Sequence, residues 1–169
     1  MRFALVFVIS TVAGGGACAP KTAPAGPDAP SEPRLLPDIE VSGLADERVR
    51  LREVTHGKVA VIDLWATWCK ACKEVSAQAE ALARAHPNGD VVVVGVDEGE
   101  DRDVVAAYLE GREPPYAIYL DPGLALSDRL GITEIPAVIV LDREGRVVTV
   151  SNKIDDALRR TVDRLAATP

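Results

Sequence analysis

The sequence predicts an α/β sandwich: a mixed central β-sheet with helices on both faces. Three observations carry that expectation. Two stretches, KVAVIDLW (58–65) and VVVVGVD (91–97), are apolar almost without alternation, the pattern of strands covered on both sides. Between them Val75, Ala79 and Leu82 recur at helical spacing from Ala71, so strand, helix and strand form a βαβ unit. Further on, VIVLD (138–142), the turn REG (143–145) and RVVTV (146–150) read as a hairpin. A parallel pair followed by a hairpin makes the sheet mixed.

The remaining elements follow in chain order. Residues 38–57 read as a small leading hairpin. HPNG (86–89) ends the first long helix, and a second helix runs over 102–110 with Gly111 as its stop. The loop before it, DEGEDRD (97–103), clusters carboxylates of the kind that suit calcium. The EF-hand spacing is absent, so it reads as a solvated loop in which Asp101 or Asp103 caps the next helix. A short strand at 117–120, the turn DPG (121–123) and a short helix over 124–130 ending at Gly131 come next. The last element, 155–167, is amphipathic, with Ala157, Leu158, Val162 and Leu165 on one face.

The 169 residues suit one domain plus appendages, and 47% hydrophobic against 27% charged residues makes the chain globular. Its net charge of −7 argues against a nucleic-acid partner, because phosphate binding needs clustered Lys and Arg.

The first seventeen residues differ from the rest. Arg2, the apolar run FALVFVISTVA (3–13) and the small residues before Cys18 have the layout of a secretory signal, too short and too glycine-broken for a spanning helix. G15-G16-A17-C18 resembles the lipobox of bacterial lipoproteins, although Gly15 stands where that family usually has Leu. The resemblance implies cleavage before Cys18 and lipidation of its thiol, whereas Gly15 and Ala17 also suit an ordinary signal peptidase, which would leave Cys18 free; with lipidation, Ala19 after it implies the outer membrane by the enterobacterial sorting pattern. The mature chain then loses one of 19 basic residues, leaving 18 against 26 acidic ones, a charge of −8. Residues 19–37, APKTAPAGPDAPSEPRLLP, carry no hydrophobic period and read as a Pro/Ala-rich tether. In extended polyproline form it reaches on the order of 60 Å at ~3.1 Å per residue. The expected organisation is signal 1–17, lipidated Cys18 and tether to 37, and folded domain 38–169.

The chemistry is concentrated in DLWATWCKAC (63–72), which holds both tryptophans and two of the three cysteines. Three readings compete. A structural zinc site needs four ligands, and Cys18, His56 and His86 do not complete a set with Cys69 and Cys72. A structural disulfide three residues apart closes a tiny loop, where the chain-entropy gain is smallest. A redox-active dithiol explains the placement. A cysteine in the first turn of a helix has its thiolate stabilised by free backbone N–H groups and the dipole, and Lys70 adds a positive charge. On this reading Cys69 is the exposed, low-pKa nucleophile and Cys72, one turn on, resolves the mixed disulfide. Trp68 shields one side of the pair and offers a flat apolar contact to a polypeptide.

These residues resemble the thioredoxin fold. The longer segment from Leu36 to Leu165 resembles its extracytoplasmic TlpA/ResA-type branch of membrane-tethered thiol-disulfide oxidoreductases. The matching pieces are LPDIEV, VIDLWATWCKAC, VVVVGVDE, YLDPGLALSDRLGITEIPAVIVLDREGRVV and the closing helix. The resemblance implies a reversible Cys69–Cys72 disulfide and a cis peptide bond before Pro136, beside the dithiol. It also implies that the backbone of Ile135 pairs with an extended client segment, and that the cis-proline keeps metal from the thiols. Asp63 matches the buried acid of cytoplasmic-type thioredoxins. A lone carboxylate there has its pKa raised by desolvation and can take the proton of Cys72. Two departures stand out. The branch usually has Glu three residues after the second cysteine, where this chain has Val75, with Glu74 one residue off. The dipeptide between the cysteines is Lys70-Ala71 rather than Gly-Pro or Glu-Pro, and it helps set the potential.

The function implied is an exported, lipid-anchored, monomeric thiol-disulfide oxidoreductase. It needs no bound cofactor or metal, is recharged by a membrane thiol reductant, and serves disulfide- or thiol-bearing client proteins. The rival is a thioredoxin-fold copper chaperone, whose thiols would hold Cu(I) without turnover. A peroxidase on the same fold would need a lone peroxidatic cysteine, which WCKAC does not resemble.

Overall fold

The computed structural model describes residues 34–168. In chain order the strands and helices are β1 (Glu40–Gly43), β2 (Arg48–Arg50), α1 (Leu51–Thr55), β3 (Val59–Trp65), α2 (Cys72–Ala85), β4 (Val91–Glu98), α3 (Arg102–Leu109), β5 (Ala117–Asp121), α4 (Ala125–Leu130), β6 (Ala137–Leu141), β7 (Val147–Ser151) and α5 (Asp156–Ala166). One seven-stranded sheet has the order β2-β1-β5-β4-β3-β6-β7. β3 pairs parallel with β4 and antiparallel with β6, and β4 pairs parallel with β5. The βαβ unit, the hairpin and the mixed sheet are those the sequence predicts.

Every residue of β3 is buried, which is why its sequence does not alternate. Its side chains still divide between two faces. Ala60, Ile62 and Leu64 join Val94, Val96, Ile139 and Leu141 under Leu51 of α1 and Leu126 and Leu130 of α4. Val59 and Val61 join Val91, Val93, Val138 and Val140 under α2, through Val75, Ala79 and Leu82, and under α5, through Leu158 and Val162. A third cluster gathers Trp65, Cys69, Cys72, Ile118, Leu120 and Val105 of α3 at one end of the sheet. Among the described residues no helix is long and apolar enough to cross a membrane.

Several expectations need correction. The folded part begins by Arg34, four residues before the expected boundary at 38. Leu36 is fully buried, its N–H donates to Gly145 O at 2.8 Å, and the Val147 N–H donates to Arg34 O at 2.7 Å. Leu35 bridges Arg146, and the Arg34 guanidinium reaches the Leu130 carbonyl, so the end of the presumed tether is stitched to the β6–β7 hairpin and α4. The expected signal and Cys18 lie outside the described residues. The leading hairpin is β1–β2, but it runs straight into α1, whose five residues are too few to show a period. Ala157 is exposed, so the buried stripe of α5 is Leu158 and Val162, with Leu165 partly covered. Asp101 does occupy the position before α3, but its side chain caps nothing; its carbonyl accepts from the Val104 and Val105 N–H groups.

Candidate active site

The site is assembled where β3 ends and α2 begins. After Trp65 the chain turns through residues 66–71, the Cys69 N–H donating to Ala66 O at 3.1 Å, and α2 starts at Cys72. Cys69 and Cys72 form a disulfide with a Cα–Cα separation of 5.3 Å. Cys69 therefore precedes the helix instead of occupying its first turn, and it is only 5% exposed where the sequence suggested an open thiol. The electrostatic argument is met by another route: the backbone N–H of Cys72, one of the donors a helix start leaves free, points at Cys69 Sγ at 3.2 Å. Lys70 and Ala71, between the cysteines, are exposed. Trp68 is 69% exposed and stands beside the pair as a flat apolar surface, while Trp65 is buried and packs on Tyr108 at 5.6 Å.

Asp63 lies on the α2 face of β3 and is fully buried. It is not a lone carboxylate. The Ser76 hydroxyl, one helical turn after Cys72, donates to Asp63 Oδ2 at 2.7 Å, while Asp63 Oδ1 is buried without a partner. Burial nevertheless dominates: it pushes the Asp63 carboxyl up to about 6, against the lowering effect of Ser76 and Tyr116. Burial and the Asp63 charge likewise push the Tyr116 phenol upward. A cavity of about 270 Å³ opens on this side, lined by Cys72, Ser76, Tyr108 and Tyr116 among others. Val75 is buried in the α2 core and Glu74 is exposed, so α2 supplies no second buried acid.

Carboxylates of another origin surround the site, and sequence reasoning missed them. Asp97 ends β4 opposite Trp65, with neither oxygen partnered; burial, then neighbouring Glu100, push it up to about 8. Glu100 accepts from the Thr67 N–H at 2.5 Å and the Thr67 hydroxyl at 2.7 Å, holding the loop that carries Trp68 and Cys69. Glu98, on the opposite face of β4, is buried with Oε1 unpartnered. By sequence alone these residues read as part of an acidic loop. The signal that could have separated them is a carboxylate continuing an all-apolar strand, where burial is the default. Ser76 and Tyr116 gave no sequence signal, because each acquires meaning only by contact with Asp63.

The peptide bond between Ile135 and Pro136 is cis, and both residues lead into β6, which pairs with β3. Neither histidine joins the cysteines: His86 pairs with Asp163 at 3.4 Å at the far end of α2, and His56 follows α1. No group of three or more His, Cys, Asp and Glu suited to a metal ion occurs among the described residues.

A disulfide bridging C-x-x-C at the end of a central parallel strand, with a cis-proline leading into the neighbouring strand, defines a thioredoxin-like domain. The chain belongs to the AhpC/TSA family, whose family model matches residues 34–150. It is 29% identical over 111 residues to the thiol:disulfide interchange protein DsbE of Allochromatium vinosum, covering 64% of this chain and 60% of that one. With the thiol-disulfide oxidoreductase ResA of Halalkalibacterium halodurans it shares 27% identity over 116 residues, covering 69% and 62%. The aligned part thus spans about six-tenths of each of these relatives. Among solved structures, the thioredoxin domain of a thiol-disulfide oxidoreductase from Bacteroides vulgatus superposes with a TM-score of 0.69 at 20% identity, over 78% of this chain and 95% of that one.

Proposed function

We propose that the chain is an extracytoplasmic thiol-disulfide oxidoreductase that reduces disulfides in exported client proteins. The observation that carries this reading is the Cys69–Cys72 disulfide, with the Cys72 N–H aimed at Cys69 Sγ. In the reduced protein that N–H stabilises a Cys69 thiolate, which attacks a client disulfide and expels one client sulfur as thiolate. Cys72 then gives its proton to Asp63 and attacks Cys69 Sγ, closing the disulfide and releasing the second client sulfur. Two electrons pass from the Cys pair to the client, whose two sulfurs leave as thiols once protonated. Asp63 suits proton acceptance because a carboxyl poised at about 6 is ionised at neutral pH, and so free to take a proton, yet far more basic than an ordinary carboxylate. Ser76 holds it in place. Trp68 and the Ile135–Pro136 segment present the client, and Lys70 and Ala71 tune the couple.

Recharging requires a second two-electron donor, a membrane thiol reductant. The lipobox-like GGAC and the Pro/Ala-rich stretch behind it support a lipid-anchored, periplasm-facing protein, and Ala19 favours the outer membrane; we take the chain to act as a monomer. The names of the DsbE and ResA relatives support the activity. The copper-chaperone reading finds no observation in its favour, since each histidine is engaged or placed elsewhere.

The test is the reduction potential, titrated against a thiol-disulfide buffer and read by tryptophan emission, which a neighbouring disulfide quenches. A value near about −250 mV or below, close to that of thioredoxin, is expected of a reductant. A value near about −120 mV would make the protein a disulfide donor, and no reversible transition would remove the redox reading altogether.

A further inference from the structure

Two concave surfaces flank the disulfide, and only one of them reaches its sulfurs. The groove of about 620 Å³ from Trp68 to Ile135, along Glu98, Leu124 and Asp128, has neither cysteine in its wall. The cavity of about 270 Å³ between α2, α3 and the segment leading into β5 has both. Its volume is at the small end for ligand sites, roughly 300–1,000 Å³, and suits a small molecule. The lining joins aromatic and aliphatic side chains to donors that lack acceptors. Lys73 and Arg112 are exposed there, and neither is ion-paired among the described residues. Arg112 lies over the Tyr108 ring at 4.5 Å, which leaves its N–H groups free. Trp65, also in the lining, is 5% exposed and its Nε1–H is buried without an acceptor, a state that proteins rarely keep without use. The one carboxylate of the lining, Glu80, is held by Arg84 at 3.0 Å. A surplus of donors and positive charge, in a chain carrying −7 overall, selects an anion.

We propose that this cavity admits a small anionic thiol, one carrying a carboxylate or sulfonate, which reduces the Cys69–Cys72 disulfide directly. The proposal rests on the oxidoreductase reading and gives it a second source of electrons beside the membrane reductant. The anionic group is held by Lys73 and Arg112, and the thiolate reaches the sulfurs in the same wall. Its sulfur attacks Cys69 Sγ, the Sγ–Sγ bond breaks, and Cys72 leaves as a thiolate that takes a proton from water. A second small thiolate attacks the ligand sulfur, closing a ligand disulfide and freeing the Cys69 thiolate, which the Cys72 N–H stabilises. Two electrons thus pass from two small thiols to the Cys pair. The cationic rim draws in thiolates that the net charge of the chain would otherwise repel.

The experiment uses the oxidised full chain and three small thiols: mercaptoethanesulfonate, an anion, mercaptoethanol, which is neutral, and cysteamine, a cation. Tryptophan emission follows the opening of the disulfide. Each rate, taken per thiolate, is divided by the rate of that thiol with hydroxyethyl disulfide, a neutral reference. The expected order is anion above neutral above cation, with about a tenfold advantage of the anion over the neutral thiol. Added salt should shrink that advantage. Arg112→Gln should remove most of it, whereas Arg160→Gln, which deletes the same charge from the exposed face of α5, should leave it intact. Should Arg112→Gln fail to fold, Lys73→Gln is read in its place. Equal normalised rates for the three thiols would overturn the proposal and leave the oxidoreductase reading standing, as would equal losses in the two arginine variants. A disulfide that dithiothreitol also fails to open would overturn both readings.

Discussion

Replacing Asp63 by Asn should make the oxidised protein more stable at neutral pH while slowing its exchange chemistry. The native carboxyl titrates at about 6 against 3.8 for an unburied Asp. Roughly two pH units at about 1.4 kcal/mol each amount to ~3 kcal/mol. The sign follows from which state holds the proton. Below pH ~4 both folded and unfolded chains carry it, and the site costs nothing. As the pH climbs from ~4 to ~6 the unfolded chain releases its proton first, so the native state loses ground, and above ~6 the whole penalty is in force. Asn stays neutral throughout and still accepts the Ser76 hydroxyl. The variant should therefore match the parent near pH 4 and exceed it by up to ~3 kcal/mol at pH 7.5, roughly 10 °C in melting temperature for a domain of this size. Asp97, also raised, loads the same slope in both proteins, so the difference between the two pH–stability curves isolates Asp63. Denaturant unfolding from pH 4 to 7.5 measures it. Parallel curves, or a variant less stable than the parent at pH 7.5, would refute the assignment of a desolvated carboxylate. In turnover the same variant should be slower by about a hundredfold, the general-base contribution.

Cys72→Ser should accumulate mixed disulfides through Cys69, visible on non-reducing gels, whereas Cys69→Ser should form none and reduce no client. Leu36→Ala should cost about 2–5 kcal/mol in denaturant unfolding, because that side chain is fully buried in the core; a loss below ~0.5 kcal/mol would return the residue to the tether. At Gly95 an added Cβ would sit 2.6 Å from Ile118 Cδ1 and 3.1 Å from Trp65 Nε1, so Gly95→Ala should cost about 1–3 kcal/mol and shift the Trp65 emission. Asp121→Ala removes the acceptor, at 2.7 Å, of the buried Leu126 N–H and should cost about 1–3 kcal/mol, most visible as faster hydrogen exchange in α4.

The fold was legible because its central strands announce themselves: β3 and β4 are buried on both faces and read as unbroken apolar runs. The Cys pair was legible because three-residue spacing at a strand-to-helix junction has few other uses. What escaped was decided by tertiary contact. Cys69 looked open because a helix start is usually solvated, but Ala66 and the third core cluster cover it. Leu36 looked like tether because it follows a Pro-rich stretch, yet its backbone extends the β6–β7 edge. Asp97 and Glu98 are neighbours in an acidic run, and only strand alternation sends one toward Trp65 and the other toward α4.

That alternation at the end of β4 has a consequence for how such a protein can diversify. Asp63, Ser76 and the Cys pair belong to β3, α2 and the turn between them, whereas Glu98, Leu124 and Asp128 come from the end of β4 and from α4 with the turn before it. Most of the residues that line the neighbouring groove are therefore drawn from segments other than those that set the electron chemistry, with Trp68, next to Cys69, as the point where the two sets touch. Mutational drift or deliberate recombination of the second set can change which proteins are served without retuning the couple. One scaffold can in this way be reassigned from client to client over evolutionary time.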